Sequence, residues 1–396
     1  MENIVKHPMK QWPNYELKEG ATIEEMRQTA IRAMADELSF EWTPETSFTY
    51  QKTGACSNKI FAFNKGTLYV GLPYTTGGTG IFPWLQYYNN ETGEFSRGPE
   101  PEFYSTLGNS CAACVNWGLS AVCSSIQGNV STYHYTKAHN LIPLGEVDYD
   151  SSVVDFASYP TDRIVWDNGA KKVLEAYALL QPADAVVATD RYEKQLTDRH
   201  CMMCVEAPIV VRDENGNIDP EKSSVLLQDQ WAKEQTMETK EGYTVSYRAR
   251  YPHRVSFLFL LDKFYIAVST EEFLGRKPYE LAYAKADREV KTLDDLKECI
   301  VEANYRFACL SLQIRDLDGY VIYEEKPWTS GTENVDGNTA PWSLRVGDKF
   351  NMDAMKTAIE EAKKDSVMNT SKLSAVVMVV LANGAIKTAL STFVDE

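Results

Sequence analysis

The stretch that most constrains this chain opens on the polar turn Gly108-Asn109-Ser110. It runs at once into Cys111-Ala112-Ala113-Cys114-Val115-Asn116-Trp117-Gly118-Leu119, with apolar helical spacing continuing to Ile126. A serine ahead of small and apolar residues at this spacing predicts a helix with Cys111 in its first turn. A thiol there lies beside backbone N–H groups that have no acceptor within the helix, and at the positive end of the helix dipole. Both favour the thiolate, the form that attacks carbonyls. Ala112 and Ala113 leave room for a substrate backbone to approach the sulfur, while Val115, Leu119 and Val122, with Trp117 on the far side, anchor the helix in a core. The same residues also fit a cysteine that is no more than a small buried hydrophobe.

A length of 396 residues exceeds one typical domain and predicts two, or one domain with a large addition. Hydrophobic content of 44% is ordinary for a globular chain, and no apolar run approaches the length of a membrane span. Lys+Arg 40 against Asp+Glu 56 gives a net charge of −16, which repels phosphate backbones and sets nucleic acid aside as a partner. The 8 cysteines are too sparse for a stapled secreted module and read as mostly free thiols. The first dozen residues carry charges and prolines where a secretory leader has an apolar stretch. A cytoplasmic location is therefore expected, or an extracellular or wall-associated one if the sequence is already processed.

Along the chain, Thr22-Ile23-Glu24-Glu25 is a capping box, and Ile23, Met26, Ala30, Met34 and Leu38 follow at helical spacing. Residues 59–63 and 66–71 read as short strands. The glycine-rich turn at 71–78 lacks the Lys-Ser/Thr of a phosphate loop. Residues 85–107 and 128–167 show no clear period, and 171–180 reads as a helix stopped by Pro182 before an apolar strand. His200-Cys201-Met202-Met203-Cys204-Val205-Glu206-Ala207 reads as a strand headed by a histidine. A turn at 213–217 leads to a return strand over 224–231, where Gln228 and Gln230 share one face by the period of two. From about 248 the reading is a hairpin over 255–261 and 264–268, a helix over 293–303, a hairpin over 307–314 and 320–323, and a polar loop over 324–347. A helix over 352–362 and a hairpin over 375–390 turned by Asn383-Gly384 follow. No chemistry and no internal repeat stand out in this half.

Thiol catalysis needs a cysteine, a histidine to share its proton and a polar group to fix the imidazole. Cys111 at a helix start, His200 at a strand start and Gln228 on the return strand supply the three types. A neutral amide in the third place fixes the ring tautomer without charge, so His200 is expected to be less basic than beside a carboxylate. His7, His134, His139 and His253 lie in polar or aromatic surroundings and read as surface residues.

Four segments then carry a resemblance. Ser110-Cys111-Ala112-Ala113-Cys114-Val115 is similar to Asp-Cys-Ser-Gly-aromatic-Val, and Gly71-Leu72-Pro73-Tyr74 with Gly77-Gly78 to Gly-x-Pro-Tyr-x-x-Gly-Gly. Leu180-Gln181-Pro182-Ala183-Asp184-Ala185-Val186 is similar to Leu-Gln-Pro-Gly-Asp-Leu-Val, and residues 226–231 to Val-Ser-Glu-Gln-Asn-Trp. The chain thus resembles the papain-like cysteine peptidases of bacterial cell-wall metabolism, the NlpC and CHAP families, over roughly residues 60–231. It departs from them at Ser110, at Ala112-Ala113 and at Gln228. The resemblance implies an α+β papain-like domain over 50–247, preceded by a helical extension over 1–49 and followed by a second α+β domain over 248–396.

The implied reaction is amide hydrolysis through a thioester. Cys111 would attack, with its own N–H helping to hold the oxyanion, His200 would act as base and then acid, and Gln228 would orient it. Tyr74, packed beside the thiol, Ser110 and Gln230 would form the substrate-binding side. The implied substrate is a peptidoglycan stem peptide or muropeptide fragment, with no cofactor, no metal and no membrane span; the oligomeric state is left open. Two alternatives stay open. One is a silent binding module that keeps the groove. The other is a zinc protein, because Cys111-x-x-Cys114 and Cys201-x-x-Cys204 are CxxC pairs, although an apolar strand would point Cys201 and Cys204 to opposite faces.

Overall fold

The computed structural model describes residues 13–51, 60–75, 79–96, 107–126, 141–148, 160–188, 200–238, 244–327 and 342–395. Among them the chain mixes helix and sheet and divides into two compact units, one over Leu17–Tyr279 and one over Asn14–Glu16 with Glu280–Glu396.

The first unit opens with α1 (Ile23–Ser39), capped reciprocally by Thr22 and Glu25. There follow β1 (Glu41–Pro44), β2 (Phe48–Gln51) paired with β3 (Ile60–Phe63), β4 (Tyr69–Val70), α2 (Ile81–Leu85), and β5 (Tyr88–Asn89) paired with β6 (Glu94–Phe95). In the segment that lacked a sequence period, residues 85–96 are described, and rings hold them. Phe95 stacks on Trp84 at 3.5 Å, and Trp42 meets both edge-on. Next come α3 (Cys111–Ser120), β7 (Ile142–Pro143), α4 (Thr161–Ala178, broken at Gly169) and β8 (Ala185–Ala188). β9 (His200–Ile209), β10 (Ser224–Glu238), β11 (Thr244–Ser256), α5 (Phe257–Asp262) and β12 (Ile266–Ser269) complete the unit. Ten strands form one sheet in the order β5-β6-β1-β4-β11-β10-β9-β8-β12-β7.

That order corrects the expected boundaries. A cut between 247 and 248 passes through β11, which is hydrogen-bonded to β10 on one side and β4 on the other, and it removes β12 from between β8 and β7. Of the expected extension over 1–49, residues 17–49 are equally part of this unit, because β1 joins the sheet and α1 packs on α3. The expected hairpin over 255–268 is instead the end of β11, then α5 and β12. Ser256 caps α5 by accepting from the Phe259 N–H, and an apolar run this short carries no period to separate strand from buried helix.

All ten residues of α3 are buried, between α1 and strands β9 and β10. Gly118 marks the closest approach. A Cβ there would stand 3.0 Å from both the Met34 Cβ and the Met203 Cε, and 3.1 Å from the Ala30 carbonyl. Ahead of β8 the chain turns through Ala183, whose φ of 71° is left-handed and costs an L-residue about 1 kcal/mol. The turn is locked around it. The Ala183 N–H donates to the Cys204 carbonyl, Asp184 accepts from the Gln181 N–H, and Arg27 of α1 pairs with the other Asp184 oxygen at 2.9 Å.

In the second unit β13 (Ala284–Ala286), α6 (Leu293–Glu298), β14 (Ile300–Ala303), β15 (Phe307–Arg315), β16 (Val321–Glu325), β17 (Trp342–Arg345), α7 (Val346–Lys349), α8 (Met352–Ala362), β18 (Leu373–Leu381) and β19 (Ile386–Val394) build a three-stranded sheet, β13-β14-β17, and a four-stranded one, β16-β15-β18-β19. The helix expected over 293–303 stops after α6, where the β-branched pair Ile300-Val301 enters β14. The loop expected over 324–347 contains β17, whose register against β14 sets Trp342 opposite Ala303. Among the described residues no helix is long and apolar enough to cross a membrane.

Candidate active site

The helix that carries Cys111 is fixed from the residue before its cap. The Asn109 N–H donates to the Pro73 carbonyl and its own carbonyl accepts from the Thr75 N–H, both at 3.0 Å. Gly108 precedes it with φ 145°, and any Cβ there would collide with the Pro73 carbonyl oxygen, so only glycine lets the two segments meet. The Asn109 side chain accepts from the Gly80 N–H at 3.1 Å and donates to Glu37 of α1 at 2.5 Å. Glu37 is 3% exposed, and burial pushes its pKa up to about 8 against the lowering effect of hydrogen bonds from the Ile81 N–H, Cys114 and Asn109. This clamp sets the Tyr74 hydroxyl 4.0 Å from the Cys111 sulfur.

Ser110 caps α3, its hydroxyl accepting from the Ala113 N–H at 3.3 Å. Its carbonyl takes the Cys114 N–H, while the helix supplies no carbonyl for the N–H groups of Cys111 and Ala112. His200, first residue of β9, is hydrogen-bonded to the Cys111 thiol and places its Nε2 2.5 Å from Asp229 Oδ2. With Nε2 occupied by the carboxylate, Nδ1 is the ring nitrogen left for the sulfur. Asp229 is fully buried in β10, and its other oxygen lies 3.9 Å from His253 Nδ1 of β11.

The electrostatics follow from this contact. Burial would lower the His200 pKa, yet the charge of the Cys111 thiolate and the hydrogen bond and charge of Asp229 together raise it to about 9. Burial would raise the Cys111 pKa, yet the His200 imidazolium, by charge and hydrogen bond, the Cys201 N–H and the Tyr74 hydroxyl bring it below the ordinary thiol value. Cys114, Cys123, Cys201, Cys204 and Cys299 all shift upward, with burial as the leading cause in each. Cys111 is therefore set apart from these cysteines by a shift toward the thiolate, as His200 is shifted toward the imidazolium.

The structure brings Cys111, His200 and Tyr74 together, with the half-buried Ser110 as the cap of α3. It does not bring Gln228 to His200. The Gln228 amide faces α1 and β9, 3.5 Å from the Ile31 carbonyl and 3.9 Å from the Met203 sulfur, and Gln230 donates to the Leu72 carbonyl at 2.6 Å. The expected role at Gln228 thus passes to Asp229, and the expectation of a less basic His200 is reversed. Neither glutamine turns to His200: Gln228 faces Ile31 of α1, and Gln230 faces Leu72 beyond β4. A slip of one residue in a strand exchanges the faces, and β10 carries bulges beside Leu227 that the period of two does not show. The available signal was Asp229 itself, the one carboxylate inside Leu226-Leu227-Gln228-Asp229-Gln230-Trp231. His253 is also placed differently from the surface residue expected, standing beside Asp229 at 32% side-chain exposure. His7, His134 and His139 lie outside the described residues.

Of the CxxC pairs, one lies within α3 and the other within β9. No group of three or more His, Cys, Asp or Glu among the described residues is arranged to hold a metal ion. Comparison with protein-family models, with curated proteins and with solved structures gives no match.

Proposed function

We propose that this protein is a papain-like cysteine peptidase or amidase, with Cys111 as nucleophile, His200 as the proton carrier and Asp229 as the group that orients His200. The observation that carries this reading is the buried chain from Cys111 through His200 to Asp229, in which thiol and imidazole shift toward the charged pair. The Cys111 thiolate attacks the amide carbonyl, and the oxygen that gains charge is met by the N–H groups of Cys111 and Ala112 at the helix start. His200 gives its Nδ1 proton to the departing amine, leaving a thioester. It then takes a proton from water, which attacks the thioester and releases the acid. Asp229 holds the ring orientation and balances its charge through both steps. The resemblance to the NlpC and CHAP families supports peptidoglycan stem peptides or muropeptide fragments as the substrate class.

The test is incubation with muropeptide fragments, followed by mass spectrometry of the products and of the protein. The expected result is one new amine and one new acid per cleavage, an acyl adduct on Cys111 at short times, and loss of both in Cys111→Ala. Hydrolysis that survives Cys111→Ala contradicts the reading, and intact fragments throughout contradict the substrate class.

A further inference from the structure

One face of α1 is turned to α3. Met34 lies against Gly118, and Glu37, three residues further along the same face, meets α3 one turn nearer its start, at Cys114. The Glu37 carboxyl is 3% exposed, and burying such a group is costly unless its oxygens find donors. It finds them on the segments that surround the thiol. Oε1 accepts from the Ile81 N–H at 3.1 Å, Oε2 from the Asn109 side chain at 2.5 Å, and the Glu37 backbone carbonyl from the Leu72 N–H at 3.1 Å. Asn109 passes the contact on. Its Oδ1 accepts from the Gly80 N–H, and its backbone runs parallel to Tyr74, bonded to Pro73 on one side and Thr75 on the other.

The polarity of this series of hydrogen bonds is fixed. Two N–H groups aim at the Glu37 side chain, so both of its oxygens must accept. The Cys114 thiol can donate to the carboxylate or accept from the carboxyl, so both N–H bonds are kept in either state. An amide in the same place has one acceptor for two donors. Rotating the Asn109 amide to meet it only moves the mismatch to the Gly80 N–H.

We infer that Glu37 is a positioning residue for the thiol chemistry: through Asn109 it sets the Tyr74 hydroxyl against the Cys111 sulfur. The inference rests on the reading of Cys111 as nucleophile and gives α1 a part in the site. The Tyr74 hydroxyl favours the thiolate by donating to it, and a hydrogen bond to a charged group moves an ionisation by about one pH unit.

The test reads what the Tyr74 hydroxyl contributes in each background, as the rise that Tyr74→Phe causes in the pH inflection of Cys111 alkylation by iodoacetamide. In the unaltered chain the rise should be about one unit. In Glu37→Gln it should vanish, because the hydroxyl has already left the sulfur. Glu37→Gln combined with Asn109→Asp exchanges the roles: the new amide donates to the new carboxylate, which still accepts from the Gly80 N–H. There the rise should return, and as a difference within one background it is independent of the charge moved between the two side chains. Glu37→Asp, which withdraws both acceptors by one methylene, is the milder variant and should reduce the rise. Cooperative melting identifies the variants that fold, and a merely structural Glu37 would lower melting temperatures while leaving the rise unchanged. The same rise in every folded variant, no rise in the unaltered chain, or an exchanged pair that fails to fold or shows no rise overturns the inference and leaves Cys111 in its role. An inflection in the unaltered chain at or above that of a free thiol contradicts the nucleophile, and the inference falls with it.

Discussion

Asp229 is fully buried and faces two imidazoles, His200 at 2.5 Å and His253 at 3.9 Å, and its negative charge is a cause of the high His200 pKa. Asp229→Ala leaves the ring without an orienting partner and should lower kcat/KM about 100-fold or more. Asp229→Asn keeps an acceptor but removes the charge, so the imidazolium is less stabilised and the alkaline limb of the activity profile should move down from about 9. Gln228→Ala should leave kcat/KM close to that of the unaltered chain and act on stability, since its amide meets the Ile31 carbonyl and the Met203 sulfur and not His200. pH–rate profiles of the three variants check this, and a dead but folded Gln228→Ala would return the third role to the glutamine. Cys111 and His200 were legible because a helix cap and a strand start are written locally. Asp229 was not, because facing across a bulged strand is decided by pairing with β9 and β11.

Elements whose signals are local came through intact: the capping box of α1, helix α8, and the β18–β19 hairpin around Asn383-Gly384. Those decided by their neighbours did not. α5 is a short apolar helix that takes its identity from the Ser256 cap, and the edge pair β5–β6 is held by stacking on Trp84 rather than by any period of its own. The turn into β8 joins both kinds of information. Its Leu-Gln-Pro-x-Asp pattern was visible, whereas the left-handed φ of 71° at Ala183 was not. Ala183→Gly should remove the steric cost at that φ and raise stability by about 1 kcal/mol, less what the freer glycine loses in the unfolded chain. Thermal unfolding is the check, and a lower melting temperature would mean that the Ala183 methyl contributes more by packing than the turn costs.

On the scale of the whole molecule, the expectation was a helical extension over 1–49 and domains over 50–247 and 248–396, whereas the chain divides at Tyr279, because strand pairing through β11 and β12 cannot be read from composition. Residues 17–279 expressed alone should fold and keep a reactive Cys111, whereas 17–247 lacks most of β11 and all of α5 and β12 and should aggregate. A soluble, cooperatively melting 17–247 would overturn the revised boundary. The proposed chemistry requires that this fold hold Cys111 as a thiolate against an imidazolium. The most direct measurement is the pH dependence of Cys111 alkylation by iodoacetamide in the full chain, followed site by site by mass spectrometry, alongside His200→Ala. The unaltered chain should show Cys111 labelling with an inflection well below the roughly 8.5 of a free thiol, ahead of the buried cysteines whose pKa values are raised. In His200→Ala the inflection should move up past the free-thiol value, since burial then acts unopposed by the imidazolium. An inflection at or above the free-thiol value in the unaltered chain, or one that His200→Ala does not move, would contradict it.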